Sequence, residues 1–363
     1  MTTTHAGRRD PLDRACALFD RARSNRDPRA AREQIDRALA LFRRHAGREH
    51  PDVAHALIVR ASLASAAHDH VAAIRDARRA LTILAGLPGQ PDLLRLRAQA
   101  ASMLGNGLLA RGRHADAEAV YRPILSRCRR GLGPRAPEVA TLENNLAVIY
   151  KYTAQFGRAA RLYRHAIGIL REQLGPDHIE VATVLHNLGG LMHAAGRYRE
   201  AEPYARAAVE LRERALGPDH VDVAADHAAL AAILEQLDRL DEAEALYHRV
   251  LAIFERVHGP AHYEICINLN NLAALEHRRG RLDQAARLYA RALELKRELL
   301  GRDHPDVAMT LNNLAALHDD RGQPRQAAAL YRQALRIFAK ALRPRHPKLI
   351  QCRANYRRSQ TRA

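Results

Sequence analysis

Residues 301 to 342 read GRDHPDVAMTLNNLAALHDDRGQPRQAAALYRQALRIFAKAL, and this stretch is one copy of a segment that recurs at intervals of 42 residues. The copies open with a loop glycine, followed in all but the copy at Gly133 by a histidine and, two positions later, by an acidic residue. The glycines are Gly133, Gly175, Gly217, Gly259 and Gly301, the histidines are His178, His220, His262, His304 and His346, and the acidic residues are Glu180, Asp222, Glu264 and Asp306. Self-similarity at such a period indicates a repeat architecture.

The second half of each copy repeats an alanine and, four positions later, a tyrosine. The alanines are Ala117, Ala159, Ala201, Ala243, Ala285 and Ala327, and the tyrosines are Tyr121, Tyr163, Tyr247, Tyr289 and Tyr331, with Ala205 in the copy that lacks one. The chain is 47% hydrophobic but only 4% aromatic, so its core must be built from Leu, Ala, Val and Ile. Because alanine and leucine favour helices, we expect an all-α fold with two helices in each copy.

The regularity of the repeat divides the 363 residues into four expected segments. Residues 1–46 should form an N-terminal helix pair that serves as a degenerate repeat or cap. Residues 47–132 should form two degenerate repeats, in which Arg60 takes a position that later copies fill with leucine. Residues 133–342 hold five regular repeats, and residues 343–363 form a basic capping helix or tail. Pro123 lies inside an expected helix, so we expect a kink or an early helix end there.

Composition argues against a secreted, metal-binding or membrane-spanning protein. The four cysteines form no C-x-x-C pair, which fits a reducing compartment and predicts neither a disulfide framework nor a zinc site. The N-terminal residues lack the apolar run of a signal peptide. No stretch is long and apolar enough to cross a bilayer. We therefore expect a cytoplasmic protein.

The net charge of +18 is concentrated at the two ends of the chain. Basic residues exceed acidic ones by 11 in residues 1–130 and by 7 in residues 343–363, and the two balance in residues 131–342. The basic ends could attract an acidic partner. Alternatively, the arginine content reflects only the composition of the genome.

The order of residues within a copy resembles a known family. A leucine followed by alanine or glycine precedes a turn glycine and then a pair of spaced alanines, as in Leu188, Gly189, Gly196, Tyr198, Ala201 and Ala208. This order resembles the tetratricopeptide repeat, and the 42-residue length with the loop L-G-x-D-H-P-x-V-A resembles its kinesin-light-chain-type subgroup. The resemblance implies a right-handed α-solenoid of antiparallel helix pairs, whose first helices line a concave groove for an extended peptide or a partner helix. We see no heptad run like the coiled coil of kinesin light chains, so we do not expect a motor-binding role.

One face of the first helix in each copy is a candidate for ligand binding. Positions i, i+4 and i+7 share this face, which mixes amides, imidazoles and charges with small residues. Small residues let a ligand backbone approach, and amides can bond its N–H and C=O groups. The alternative is an ordinary solvated helix face. The predicted groove residues are Asn144, Lys151, His186, His193, Asn270, His277 and Asn312.

Other polar residues of the repeat are predicted to be structural. The second asparagine series, one residue later, should form hydrogen bonds between helices; it consists of Asn145, Asn187, Asn271 and Asn313. The loop histidines lie one repeat apart and cannot converge on one metal ion, so we expect them to act at the start of helices. The sequence His318-Asp319-Asp320 is either a weak cation site or a hydrated helix end.

No catalytic motif is present: the chain lacks H-E-x-x-H, G-x-S-x-G and G-x-x-x-x-G-K-[ST]. We therefore expect a non-catalytic adaptor or scaffold that binds a protein or peptide and needs no cofactor or metal. One alternative is a regulatory or sensor subunit whose superhelix changes on peptide binding. Another is anion or nucleic-acid binding through the basic ends, which the lack of interleaved stacking aromatics disfavours for nucleic acid. The arginines concerned are Arg129, Arg130, Arg353, Arg357 and Arg358.

Overall fold

The computed structural model describes residues 10–344 and 346–361. Residues 1–9, Arg345 and residues 362–363 lie outside the described residues, and with them part of the expected N-terminal pair and of the basic tail. The described residues contain α-helices and no β-strand, so the prediction of an all-α fold is confirmed. The helices are α1 (Pro11–Ser24), α2 (Pro28–His45), α3 (Pro51–Ala66), α4 (His70–Ala85), α5 (Pro91–Ala110), α6 (His114–Gly131), α7 (Pro137–Tyr152), α8 (Phe156–Leu174), α9 (Ile179–Ala194), α10 (Tyr198–Leu216), α11 (Val221–Gln236), α12 (Leu240–His258), α13 (Tyr263–Arg278), α14 (Leu282–Leu300), α15 (Pro305–Asp320), α16 (Pro324–Ala341) and α17 (Pro347–Thr361).

The helices form two compact units, one ending at Ala195 and the other beginning at Gly196. Within each unit every helix contacts the next one along the chain. The first helices of successive pairs also contact one another: α3 contacts α5, α5 contacts α7, and α13 contacts α15. Each unit is therefore a stack of helix pairs whose contacts join sequence neighbours, which is the arrangement of a solenoid. The segment boundaries drawn from the regularity of the repeat remain a prediction.

The loop histidines cap the first helices of the pairs. In each case the histidine Nδ1 accepts a hydrogen bond of 3.1 to 3.3 Å from the backbone N–H two residues later. The capping residues are His50, His178, His220, His262 and His304. This bond satisfies one of the N–H groups that the first turn leaves without a partner. The predicted role at helix starts is confirmed.

The repeated tyrosine fills the space between the two helices of a pair. All five are at most 2% exposed: Tyr121, Tyr163, Tyr247, Tyr289 and Tyr331. A Cβ atom at Gly105 would lie 2.1 Å from the ring of Tyr121, so the small residue after the repeated leucine makes room for the ring. The Tyr121 hydroxyl donates to Asn106 Oδ1 at 3.0 Å, which satisfies its polar end.

The turn inside a pair has a left-handed backbone residue. The repeated glycine supplies it at Gly280, with φ +75°, whereas Ala154 and Asp238 adopt the same conformation at φ +57° and +63°. These two residues therefore take the place of the turn glycine in their copies. A side chain in this conformation costs about 1–2 kcal/mol.

Pro123, inside the second helix of a degenerate repeat, does not end that helix. Helix α6 continues through Pro123 to Gly131, so the expectation of an early end is wrong. Pro123 lies on the exposed side of the helix, where water can satisfy the carbonyl group that loses its N–H partner.

Among the described helices none is long and apolar enough to span a membrane.

Arg60 departs from the repeat because it takes part in an ion pair. Its guanidinium binds both carboxylate oxygens of Asp76, at 2.7 and 2.9 Å, and Asp36 Oδ1 at 2.9 Å. Asp76 is only 2% exposed. The corresponding positions 86 residues later hold Leu146 and Leu162. A charged pair therefore replaces a leucine pair in this repeat.

Candidate functional site

The first helices of the first unit line an open cavity of about 670 Å³. Its apolar lining includes Val59 and Leu63 of α3 and Met103 of α5, which are partly buried. Leu174 at the end of α8 adds a side chain that is 39% exposed. The cavity thus offers apolar surface that the fold itself does not cover.

Polar groups stand beside this apolar surface. Ser62 and Gln99 are exposed, and neither side chain forms a hydrogen bond within the described residues. Arg23 lies at the α1 end of the cavity, and Glu138 and Glu180 lie at the α7 and α9 end. The cavity therefore has unused hydrogen-bonding groups along its length and opposite charges at its two ends.

The cavity crosses the first helices diagonally. Ser62, Ser102, Thr141 and Glu180 line it from α3, α5, α7 and α9. In the register of the repeat they correspond to positions 148, 144, 141 and 138 of α7. The lining thus moves about one helical turn toward the helix start with each successive pair. None of the seven residues predicted from the sequence lines this cavity.

Asn144 belongs to a chain of hydrogen bonds that joins three first helices. Asn187 Nδ2 donates to Asn144 Oδ1 at 2.9 Å, and Asn144 Nδ2 donates to Asn145 Oδ1 at 3.2 Å. Asn145 Nδ2 in turn donates to Ser102 Oγ at 3.1 Å. The structural role predicted for Asn145 and Asn187 is confirmed. Asn144 keeps one N–H and one acceptor position for a ligand.

The second unit shows the same arrangement around Asn312. Asn355 Nδ2 donates to Asn312 Oδ1 at 3.1 Å, and Asn312 Nδ2 donates to Asn313 Oδ1 at 3.3 Å. Asn270 differs, because it is only 8% exposed and accepts a hydrogen bond of 3.2 Å from the Thr310 hydroxyl. Asn270 therefore lies beneath the surface of its helix face.

Lys151, His193 and Gly190 lie together in the first unit. The Lys151 Nζ is 3.0 Å from the place that a Cβ atom on Gly190 would occupy, so the glycine leaves room for the ammonium group. Burial lowers the pKa of Lys151. Burial, and then the charge of Lys151, lowers the pKa of His193. His186 is partly buried on the same helix as His193 and also interacts with the rest of the chain.

The remaining predicted position and the possible cation cluster are occupied by internal contacts. His277 Nε2 lies 2.9 Å from Asp320 Oδ2. His318 Nδ1 lies 2.6 Å from Gln323 Oε1, and Ser359 donates to Asp319. Across the described residues no group of three His, Cys, Asp or Glu side chains is placed to hold a metal ion.

The residues that line the cavity were not among those predicted from the sequence. Met103 and Val59 occupy the position of Asn145 in the degenerate repeats, so a search for repeated polar residues passes over them. Their signal was a large apolar side chain where four of the five regular copies carry an asparagine.

Similarity to known proteins agrees with this architecture. The family model of the tetratricopeptide repeat matches residues 96–172, 163–214, 180–256, 222–298 and 263–340. The chain belongs to the tetratricopeptide repeat family. Proteins of this family generally serve as non-catalytic interaction modules, so a general role in protein interaction follows. No curated protein matches the chain.

Several solved structures of tetratricopeptide-type repeats have a similar fold. BtubC (BKLC) from P. vanneervenii is 24% identical, with a TM-score of 0.54 over 65% of this chain and 94% of that one. A putative kinesin light chain from Podospora anserina is 23% identical, with a TM-score of 0.50 over 57% and 99%. The apo form of RapI is 14% identical, with a TM-score of 0.59 over 78% and 98%. The expected similarity to repeats of the kinesin-light-chain type is confirmed.

Proposed function

We propose that the protein is a non-catalytic scaffold that holds a partner protein by an extended apolar segment in the cavity of the first unit. The observation that carries this proposal is the diagonal cavity of about 670 Å³, which crosses the first helices of successive repeats. A volume of this size falls within the range of about 300–1,000 Å³ that is typical of ligand sites.

The apolar lining would supply most of the affinity. Val59, Leu63 and Met103 are partly exposed in the free protein, and each would lose contact with water when an apolar side chain covers it. Burial of apolar area contributes about 25 cal/mol per Å². An extended segment fits better than a folded domain, because the lining follows a narrow diagonal path.

Polar groups along the path would fix the bound segment. The free side chains of Ser62 and Gln99 can bond the N–H and C=O groups of an extended backbone. Arg23 at one end and Glu180 at the other favour a single direction, because opposite charges on the bound segment would be mispaired in the reverse orientation.

The seven residues predicted from the sequence belong to the same proposal as further contacts, four in the first unit and three in the second. Lys151 forms no ion pair within the described residues and stands beside the small Gly190, so it could receive a carboxylate of the partner. The spare hydrogen-bonding positions of Asn144 and Asn312 would serve the partner backbone. A location in the cytoplasm is part of this proposal.

Pull-down with the full chain tests the cavity. Met103→Glu and Leu63→Glu place a charge in the apolar lining and should abolish recovery of partners that bind there. Val257→Glu is the matched control, because Val257 is an apolar residue that is 51% exposed in the second unit. Equal recovery with all three variants would rule out the cavity as the binding site.

A second pair of variants tests the residues predicted from the sequence. Asn270→Ala and Asn312→Ala in one chain should weaken partner recovery if this face takes part. Circular dichroism must show unchanged helicity, because Asn270 also accepts a hydrogen bond from Thr310. Unchanged recovery from a folded variant would remove this face from the proposal.

A further inference from the structure

A second cavity of the first unit lies between the second helices α6 and α8 and has a volume of about 350 Å³. Four guanidinium groups line it, two from each helix, and we call this surface the arginine furrow: Arg122, Arg129, Arg158 and Arg161. Leu146 and Tyr150 of α7 line it between the two helices. It shares no residue with the apolar cavity of about 670 Å³.

The four arginines are only partly neutralised by the chain. Arg129 binds Glu143 at 2.6 Å, and Glu143 is fully buried. Arg122 is 69% exposed and lies 3.5 Å from Glu118, which also accepts a hydrogen bond of 3.1 Å from the Tyr150 hydroxyl, so this partly exposed pair contributes little.

The other two arginines have no carboxylate partner within the described residues. Arg158 bonds Gln155 Oε1 at 2.8 Å, and its guanidinium lies 5.9 Å from the centre of the Tyr150 ring. Arg161 is exposed and forms neither a hydrogen bond nor an ion pair in the described part of the chain. The furrow therefore keeps unpaired positive charge and unused N–H donors.

The second unit contains the same furrow with different charges. Between α10 and α12 a cavity of about 450 Å³ is lined from the same repeat positions, 84 residues later. The residues at the positions of Arg122, Arg129, Arg158 and Arg161 are Arg206, Glu213, Glu242 and Ala245. Arg206 is bound there by Glu202 at 2.8 Å and by Glu242 at 3.1 Å.

The comparison shows what satisfies an arginine in this furrow. In the second unit glutamate carboxylates of the chain itself take this role. In the first unit the equivalent of Glu202 is Glu118, which lies 3.5 Å from Arg122, but the position of Glu242 is Arg158, so a further arginine replaces the second carboxylate. Carboxylates from another molecule would find the same geometry and an excess of donors.

We propose that the arginine furrow binds an acidic segment of a partner polypeptide, one with clustered aspartate and glutamate side chains. The guanidinium group presents a rigid fork of donors that matches a carboxylate and can bind it through two hydrogen bonds. Single-stranded nucleic acid fits the furrow less well, because Tyr150 is 7% exposed and lies beneath Arg158, where a base cannot stack on it. The site is separate from the apolar cavity, so one partner could occupy both.

Fluorescence anisotropy with the full chain tests the proposal. The probe is a labelled peptide of alternating glutamate and aspartate, and its control is the same peptide with glutamine and asparagine. We expect binding of the acidic peptide only, weakening as salt rises from about 0.05 to about 0.5 M. Arg161→Ala should weaken it about tenfold, and Arg122→Ala together with Arg161→Ala should weaken it further.

Two matched controls separate the site from general charge and from the proposed function. Arg287 is exposed and occupies the position of Arg161 in α14, 126 residues later, so Arg287→Ala removes the same charge elsewhere and should leave binding unchanged. Met103→Glu disables the apolar cavity and should also leave binding of the acidic peptide unchanged. If the pull-down shows no role for the apolar cavity, that result therefore counts against the scaffold proposal and not against the furrow.

Three results would overturn the proposal. The first is equal binding of the neutral peptide. The second is an equal loss of affinity in Arg287→Ala and Arg161→Ala, both checked for unchanged helicity. The third is displacement of the acidic peptide by a phosphoserine peptide or by oligothymidylate at lower concentrations than by unlabelled acidic peptide, which would assign the furrow to phosphate groups.

Discussion

Replacing Arg60 by leucine should destabilise the N-terminal helix pairs, although leucine occupies the corresponding position of later repeats. Arg60 supplies two short hydrogen bonds to Asp76, which is 2% exposed. After the substitution Asp76 retains Arg75 Nε at 3.1 Å, from a side chain that is 64% exposed. Removal of one partner from a buried pair costs about 3–5 kcal/mol. Because Arg75 offsets a part of this loss, we expect about 3 kcal/mol.

The double variant Arg60→Leu with Asp76→Leu should recover this loss. It places at both positions the residues that α7 and α8 carry as Leu146 and Leu162. Exchange of a buried ion pair for apolar residues of similar volume is often neutral or stabilising by about 1–4 kcal/mol. The double variant should therefore be at least as stable as the natural chain.

Amide hydrogen exchange in α3 and α4 of the full chain is the suitable assay, because a long repeat array does not unfold in one step. A loss of about 3 kcal/mol corresponds to exchange about 150-fold faster. Arg32→Leu is the control, since Arg32 pairs with Asp36 at 3.3 Å on the surface and should cost less than about 0.5 kcal/mol. Equal exchange rates in the single and double variants would refute the reasoning.

Four further substitutions probe the repeat itself. Gly105→Ala should lower the stability of the fold by about 2 kcal/mol, since the new methyl group would lie 2.1 Å from the Tyr121 ring. Gly168→Ala in α8, where a Cβ atom would meet no atom within 4 Å, should raise the stability by about 1 kcal/mol. Thermal unfolding that ranks the two variants in the opposite order would contradict the packing. Ala154→Gly should stabilise by about 1 kcal/mol because it relieves a φ of +57°, and a urea midpoint that falls would disprove this. Burial lowers the pKa of His227 below its usual value, so the unfolded chain takes up this proton first. The stabilisation is therefore complete above the usual pKa and is lost as the pH falls. His227→Gln should flatten the decline of stability between about pH 7.5 and about pH 5, and an unchanged slope would show that His227 does not contribute.

The sequence was sufficient for the helices because their start and stop signals are local. The second helix of the copy that begins at Gly133 runs from Phe156 to Leu174 and ends at the next loop glycine, Gly175, whose φ is +96°. A histidine before a helix caps it through a bond to a residue two positions away. Interactions over such short distances along the chain follow from the order of residues, so the 42-residue period fixed the pairs and their boundaries.

The site was less predictable, since its residues come from different repeats. Asn144 was predicted to face a ligand from its place on one helix, but its partner Asn187 lies 43 residues away. A helical wheel shows which residues share a face; it does not show how the next helix covers that face. The hydrogen bond that uses part of Asn144 arises only when α9 packs beside α7.

The period of the sequence alone determined that the chain folds into helix pairs, with two helices in each copy of the repeat. Tertiary structure decided where the helix pairs leave a surface open to a ligand. The apolar cavity follows a diagonal that moves one turn per repeat, and the arginine furrow joins arginines of α6 and α8 that are 29 to 39 positions apart in the chain. Helix formation depends on neighbours along the chain, whereas a binding surface depends on the offset between successive pairs, which side-chain packing sets in three dimensions.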